Sequence, residues 1–281
     1  MKMNFHDKEG LERFSDFPKH PDKVKIKSEF GSLTEKDIWE HYDNPKVKKL
    51  LISQFEDKYT FLVVCINGTI FKRYPDSKEE FLQVTKKNYD KINNGGNCEM
   101  HVGLKDKNEY GWVDFDPKEK FSFEELKEVV LEVYDYLIRI LEGVDRIEIF
   151  FSGGKGFHLY IYFKHKKDVD NLRKLLKVLL DIYIEESGRG NLTTGVTHNS
   201  KMCRLDVSTL KKSGSIRAIY SLNATTGLVK VPIEFKEVKK FKKEDATVTK
   251  VLKKLSWRKK YLRSYSSKEK ESQISSLEGL D

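Results

Sequence analysis

The stretch Glu109-Tyr-Gly-Trp-Val-Asp-Phe-Asp116 carries two carboxylates, Asp114 and Asp116, two residues apart. Alternate side chains of an extended strand lie on one face of a sheet, so both carboxylates would face the same way. Oxygen ligands of this kind suit one or two Mg²⁺ or Mn²⁺ ions. A third carboxylate, Asp206, follows downstream in Met202-Cys-Arg-Leu-Asp206. The sequence therefore predicts a divalent-metal site carried on strands.

A glycine-rich segment, Ser152-Gly-Gly-Lys-Gly-Phe-His158, follows the carboxylate pair. Glycines leave backbone amides unobstructed, while the Ser152 hydroxyl and the Lys155 ammonium add hydrogen bonds and charge, so the segment could hold phosphate oxygens. It matches neither a Walker A loop nor a dinucleotide fingerprint, because both open a helix and here a strand is expected. Alone, it could be an ordinary hairpin turn with a solvated lysine. Beside the carboxylates, it predicts a site for a metal-chelated nucleoside triphosphate.

The composition is strongly ionic and basic. Of the 281 residues, 35% are charged and 38% hydrophobic, and the formal net charge is +9. This balance favours a polyanionic partner, although a lysine-rich surface also serves solubility or heat tolerance.

Three scattered cysteines, Cys65, Cys98 and Cys203, are too few for a disulfide framework and are interpreted as reduced thiols. The chain has neither an apolar signal core at its start nor an apolar run long enough to cross a bilayer. We therefore expect a soluble, cytoplasmic protein with no membrane partner.

A zinc site is one alternative for the cysteines and histidines. Cys98 and His101 could join His198 and Cys203, but the second pair is loosely spaced and the first lies in a predicted strand. Ordinary packing is favoured, and no structural zinc is expected. Three further histidines are predicted to be surface residues: His6, His20 and His41.

Hydrophobic periodicity and capping patterns predict a mixed α/β chain. Helices are expected after the capping boxes Ser32-Leu-Thr-Glu35 and Ser122-Phe-Glu-Glu125, and again from Val169 to Glu186. The predicted strands lie within residues 58–69, 98–104, 109–116, 146–151, 157–163, 204–207 and 216–222, with a last strand ending near Ile233.

The segment from Lys239 onward is basic, with a candidate helix running through Val251 to Tyr261. Its interleaved cations and aromatics suit backbone neutralisation and base stacking. A solvated amphipathic helix with one aromatic packed on the core is the alternative. The candidate nucleic-acid contacts here are Lys242, Lys243, Trp257 and Arg258.

Three regions are expected along the chain. The first is a catalytic domain over 1–238, with an N-terminal α/β part to about 105 and a metal and nucleotide core from about 106. A basic helical extension over 239–263 follows, and the tail at 264–281 is expected to be disordered.

The order of motifs resembles the archaeo-eukaryotic primase superfamily, in particular the small catalytic subunit of DNA primase. The resemblance runs from about Trp39 to Ile233. Phe71-Lys-Arg-Tyr74 is similar to the family's arginine-bearing strand, which adds Arg73 as a candidate nucleic-acid contact. Arg217-Ala-Ile-Tyr-Ser-Leu-Asn223, followed by a Thr-Gly turn, is similar to the segment that closes over the triphosphate.

The resemblance implies a primase fold, with an RNA-recognition-like catalytic sheet flanked by helices. It implies that Asp114, Asp116 and Asp206 hold two Mg²⁺ or Mn²⁺ ions. The nucleotide-binding residues that it implies are Ser152, Gly153, Lys155, His158, Arg204, Arg217 and Asn223. The implied activity is template-directed synthesis or extension of primers on single-stranded DNA from NTP or dNTP, with a primase large subunit as a possible partner.

Two departures keep alternatives open. Asn223 stands where the family usually has a histidine, and it cannot carry a proton's charge. The zinc knuckle common in small primase subunits is absent between His158 and Asp206. A non-catalytic nucleic-acid-binding paralogue or regulatory subunit is therefore the main alternative, and another metal-dependent phosphotransferase on an unrelated fold is a third. The complete acidic triad favours an enzyme, since clustered carboxylates need a compensating cation.

Overall fold

The computed structural model describes residues 25–28, 30–55, 58, 60–66, 70–74, 82–93, 97–212 and 214–257. The predicted tail at 264–281 lies outside these residues. Within them, no helix is both long enough and apolar enough to cross a membrane.

Six α-helices and two 3₁₀ helices occur in the described residues. The α-helices are α1 (Glu35–Asp43), α2 (Pro45–Phe55), α3 (Tyr89–Asn93), α4 (Phe123–Ile140), α5 (Val169–Ser187) and α6 (Val248–Trp257). The 3₁₀ helices span Phe235–Lys240 and Lys243–Ala246.

Twelve strands are formed by the same residues. They are β1 (Lys25–Ser28), β2 (Gly31–Thr34), β3 (Thr60–Ile66), β4 (Ile70–Tyr74), β5 (Asn97–Gly103), β6 (Lys107–Pro117), β7 (Val144–Phe151), β8 (Phe157–Asp168), β9 (Leu192–Thr193), β10 (Cys203–Asp206), β11 (Ser215–Arg217) and β12 (Val231–Ile233).

The strands form three sheets. The central sheet has six strands in the order β12-β7-β8-β6-β10-β9, a second has the order β11-β5-β3-β4, and β1 pairs with β2. All pairs in the central sheet are antiparallel except β9 with β10. This order places β8, β6 and β10, the strands that carry His158, the Asp114–Asp116 pair and Asp206, next to one another.

The central strand β6 has two different faces. Val113 and Phe115 are fully buried, whereas the alternating Asp114 and Asp116 are partly exposed. The buried face lies under helix α5, which comes so close that a Cβ on Gly111 would lie 2.6 Å from Leu172 Cδ2. The opposite face carries the two carboxylates.

Helix α4 begins as predicted. The Ser122 hydroxyl accepts a hydrogen bond from Glu125 N at 3.1 Å and caps the helix. The prediction for α1 is wrong by two residues, because Ser32 still pairs with Lys27 in the β1–β2 ladder. The capping box is formed by Thr34 and Asp37 instead.

The strand predicted at 216–222 is much shorter than expected. It ends at Arg217, and the chain then turns so tightly that Ser221 N donates to Ala218 O at 3.0 Å. Tyr220 adopts a φ of 67°, in the left-handed region that non-glycine residues seldom occupy. Beyond Arg217 the chain makes only single backbone contacts, such as Ala218 N to Met100 O at 2.8 Å and the Leu222–Val229 bridge.

His41 lies in the interior rather than on the surface, so that prediction is wrong. Its Nε2 is 2.8 Å from Tyr220 O, and the side chain is fully buried. Gln54 of helix α2 accepts from Ile219 N at 2.7 Å and donates to its carbonyl at 3.0 Å. Helices α1 and α2 thus hold the irregular segment after Arg217.

The basic C-terminal segment packs on the same core as far as it is described. Phe241 lies 5.2 Å from Phe151, measured between ring centroids, and Val251 and Leu255 of α6 are buried. Lys46 Nζ also donates to Leu255 O at 2.9 Å.

Candidate active site

The central sheet brings the three carboxylates together. In the antiparallel register, Asp114 of β6 lies opposite His158 of β8 on one side and opposite Asp206 of β10 on the other. Asp116 lies opposite Arg204. Directly opposed residues of antiparallel strands share a face, so all five side chains lie on the same side of the sheet.

Each carboxylate has its own basic neighbour. His158 Nε2 lies 3.3 Å from Asp114 Oδ1, and Arg204 Nη1 lies 3.0 Å from Asp206 Oδ2. Lys118 Nζ donates to Asp116 Oδ2 at 3.1 Å. Two of the three carboxylates, Asp116 and Asp206, are thus paired with a cationic side chain, and the third, Asp114, contacts an imidazole.

Within the described part of the chain, no three His, Cys, Asp or Glu side chains are already grouped closely enough to hold a metal ion. The donor chemistry nevertheless fits hard divalent cations, because the face offers carboxylate oxygens. Buried polar atoms without a partner also surround it: His158 Nδ1, Arg204 Nε and Arg217 Nε. Such atoms are uncommon in proteins, and those on this face fit the binding of a polar ligand.

The pKa values of His158 and Asp114 determine the protonation state of this pair. Burial and the nearby Lys230 lower the pKa of His158 to about 4, although Asp114 acts in the opposite direction. Burial raises the pKa of Asp114, but His158 and Lys230 outweigh it and bring the pKa below the ordinary value. At neutral pH the pair is therefore a neutral imidazole beside a carboxylate.

The turn between β7 and β8 is built around Ser152. Its buried hydroxyl accepts from Gly154 N at 3.1 Å and from Gly156 N at 3.3 Å. Gly153 has a φ of 81°, and a Cβ on Gly156 would lie 1.7 Å from Phe115 O, so these two positions require glycine. The Ser152 hydroxyl thus shapes the turn in this state, and two of its amides are already engaged.

Lys155 lies exposed at the tip of this turn. Among the described residues it makes no intramolecular hydrogen bond or ion pair. Asn223 lies beside the turn, with its Nδ2 about 3.0 Å from where a Gly154 Cβ would be. Its Oδ1 accepts from Thr225 N at 2.8 Å and Thr226 N at 3.1 Å, so the amide group of Asn223 is the part that faces the turn.

Arg217 connects the second sheet to the turn. Its Nη1 donates to Ser152 O at 2.6 Å, and its Nη2 donates to Glu99 Oε1 at 2.7 Å. Glu99 also contacts His101 Nε2 at 2.5 Å and accepts from Ala224 N at 2.8 Å. Burial opposes ionisation of Glu99, but these partners lower its pKa to about 2.

Glu99 and Lys230 are not among the residues predicted from the sequence, although both are buried beside the site. The sequence around each residue nevertheless indicates that it is buried. Glu99 and His101 alternate with the apolar Cys98, Met100 and Val102, and Lys230 is the single charge in Leu228-Val-Lys-Val-Pro-Ile233. A charge in a buried strand needs a partner, and here the partners belong to the site.

The residues predicted to contact nucleic acid are placed only in part. Lys242 is exposed, and Lys243 Nζ lies 5.1 Å from the centroid of the Phe123 ring. The side chains of Arg73 and Trp257, and the whole of Arg258, lie outside the described residues.

The residues considered for zinc lie apart in the fold. Cys98 and Cys203 are buried free thiols on strands of different sheets. The imidazole of His101 is engaged by Glu99.

Comparison with known proteins identifies the fold. The solved polymerase domain from Mycobacterium tuberculosis Ligase D in complex with DNA is similar, with a TM-score of 0.65 and 19% sequence identity over 79% of this chain and 88% of that chain. At this identity the likeness confirms the mixed α/β primase-polymerase fold. No curated protein matches the chain.

A protein-family comparison gives the affiliation. The family described as LigD, primase-polymerase domain matches residues 68–262. This confirms the expected superfamily, but the match does not single out the small subunit of DNA primase. Since the matched range exceeds half of the 281 residues, the chain belongs to the LigD primase-polymerase domain family.

Proposed function

We propose that this protein is a nucleotidyltransferase that extends or synthesises a strand on a single-stranded DNA template from NTP or dNTP. The observation that carries the proposal is the register of the central sheet, in which Asp114 lies between His158 and Asp206. Three carboxylates on one face, beside a glycine turn, are the parts needed to bind a metal-chelated triphosphate.

Asp114, Asp116 and Asp206 would hold two Mg²⁺ or Mn²⁺ ions, which when bound neutralise charge on the reacting phosphate and acidify the attacking 3′-hydroxyl. The neutral His158 keeps Asp114 oriented at 3.3 Å. The protein's own task is then positioning and neutralisation, and no protein group need act as the general base.

The triphosphate would lie against the turn at 152–156. Lys155 is exposed there and free of intramolecular ion pairs within the described residues, so its ammonium is available to phosphate oxygens. Arg217 donates a hydrogen bond to Ser152 O in the same turn, and the Nε atom of Arg217 is buried without a hydrogen-bond partner. Arg204, tied to Asp206, would turn to the nucleotide once a cation takes its place. Asn223 would add hydrogen bonds but no charge.

The proposed partners are single-stranded DNA and the nucleotide. The net charge of +9 supports a polyanion, and the exposed Lys242 adds a cation to the surface. We propose that residues up to about 238 carry the catalysis and that the segment after them contributes to DNA contact. Whether a primase large subunit takes part is tested by asking if the purified chain acts alone.

One observation favours a second candidate, a DNA-binding paralogue without catalysis. Asp116 and Asp206 are already paired with Lys118 and Arg204, Asp114 contacts His158, and the described residues contain no preformed metal cluster. Such a site could bind a phosphate backbone without turning over nucleotide.

The deciding experiment is nucleotide incorporation by the purified chain on primed and unprimed single-stranded templates, with NTP or dNTP and with Mg²⁺ or Mn²⁺. Asp114→Asn and Asp206→Asn should each abolish incorporation without loss of folded protein. Asp106→Asn is the matched control, since this exposed aspartate pairs with Lys212 away from the central face. DNA binding with no incorporation by the wild type under any condition would instead establish the paralogue.

A further inference from the structure

Lys230 is a fully buried lysine beside the candidate site. Its Nζ donates to the Tyr160 hydroxyl at 2.7 Å and to Arg217 O at 2.7 Å. It also lies 4.4 Å from the centroid of the Tyr160 ring and 5.4 Å from that of Phe150. Among the residues that the structure describes, no carboxylate lies within ion-pair distance of it.

Packing alone does not call for an amine at this position. Moving an ammonium out of water is costly unless it is paired, and an apolar side chain of similar length would fill the same space. Burial and the neighbouring Arg217 hold the pKa of Lys230 well below its ordinary value. An amine in either protonation state still has N–H groups to donate, so the two hydrogen bonds persist.

The contacts of Lys230 converge on the segment that carries Arg217. Besides the side-chain bond to Arg217 O, its main chain accepts from Tyr220 N at 2.8 Å and donates to Ser221 O at 2.9 Å. Lys230 thus holds both ends of the irregular stretch that contains the left-handed Tyr220.

The same lysine also touches the parts of the site on either side. Its backbone nitrogen lies 3.1 Å from where a Cβ of Gly153 would be, so the main chain of Lys230 packs against the turn at 152–156. Tyr160, which accepts from its Nζ, stands two residues after His158 on the same strand face. Arg217 in turn reaches Ser152 O at 2.6 Å.

We propose that Lys230 is a positioning residue of the nucleotide site. By fixing the main chain at Arg217, it keeps the guanidinium at the turn and thereby sets the affinity for the triphosphate group. The inference rests on the proposed function, in which Arg217 and the turn contact the nucleotide.

The test is Lys230→Met, which keeps the length of the side chain and removes the donor. Binding of ATP and dATP with Mn²⁺ is measured by calorimetry, and the thermal midpoint is measured in parallel. We expect nucleotide binding to weaken about ten-fold, as for the loss of one hydrogen bond to a charged network, while the midpoint stays the same or rises. Lys230→Gln, which retains a donor, should recover part of the affinity and serves if the methionine variant misfolds.

Lys127→Met is a matched control, because Lys127 is also a buried lysine donating to main-chain oxygens, those of Lys239 and Phe241. It should leave nucleotide affinity unchanged. In an Arg217→Ala background, Lys230→Met should add no further loss, since both changes act on one contact.

Wild-type affinity in the folded Lys230→Met variant overturns the inference while leaving the proposed function in place. So does a full additional loss in the Arg217→Ala background. A wild-type chain that binds no nucleotide at all removes the proposed function, and the inference with it.

Discussion

Replacement of Glu99 by glutamine tests how the second sheet supports the site. Glu99 is buried and is held by Arg217 at 2.7 Å, His101 at 2.5 Å and Ala224 N at 2.8 Å. Glutamine has nearly the same shape but cannot neutralise the guanidinium, so the change removes the charge and keeps the packing.

The expected loss of stability follows from the pKa of Glu99. The pKa of Glu99 falls from 4.5 to about 2 in the folded protein. A depressed carboxyl pKa contributes stability above pH 4.5, and this contribution is lost as the pH falls toward 2. The difference corresponds to roughly 3 kcal/mol at neutral pH, and Glu99→Gln should lower the free energy of unfolding by about 2–3 kcal/mol.

Urea denaturation of the wild type and Glu99→Gln at pH 7, 4.5 and 3 measures this difference. The gap between the two proteins should be largest at pH 7 and should shrink as the wild-type carboxylate takes up its proton. Glu128→Gln, an exposed change on helix α4, should show no such gap. A gap below about 0.5 kcal/mol at pH 7, or one that stays constant with acid, refutes the reasoning.

Three further predictions concern other parts of the molecule. Gly156→Ala puts a Cβ 1.7 Å from Phe115 O, so urea denaturation should show a loss of at least about 2 kcal/mol; an unchanged midpoint would mean that the turn is not held this tightly. Burial lowers the pKa of His41 from 6.5 to about 4, so the unfolded state binds the extra proton and stability should fall by up to roughly 3 kcal/mol as the pH drops from 6.5 to 4. In His41→Gln that acid slope should be smaller, and an identical slope would contradict the assignment. Lys118→Met frees Asp116 from an ion pair at 3.1 Å, and calorimetry should show Mn²⁺ binding about two-fold tighter, whereas weaker binding would contradict the competition.

Much of the central sheet is predictable from sequence because its signals are local. The period of two in β6 separates Asp114 and Asp116 from buried Val113 and Phe115, and Ser122 marks the start of α4. The motif order was sufficient to indicate that Asp206 would lie near the carboxylate pair, since the resemblance supplied the topology.

The supporting contacts could not be predicted in the same way. The hydrogen bonds of Glu99 to Arg217 and Ala224 join residues more than a hundred positions apart, and no local pattern encodes them. The burial of His41 was not predicted because no local pattern surrounds it and its partner, Tyr220 O, lies 179 positions away in a segment whose backbone departs from the regular strand. The burial of His41 depends on tertiary packing, which secondary-structure propensities do not predict.

We propose above all that Asp114, Asp116 and Asp206 bind divalent ions together with a nucleotide. The most direct measurement is the number of Mn²⁺ ions bound per chain, by electron paramagnetic resonance, with a non-hydrolysable triphosphate and primed template present. We expect two ions in the wild type and in Asp106→Asn, and fewer in Asp206→Asn. Equal Mn²⁺ binding by the wild type and Asp206→Asn would contradict this proposal.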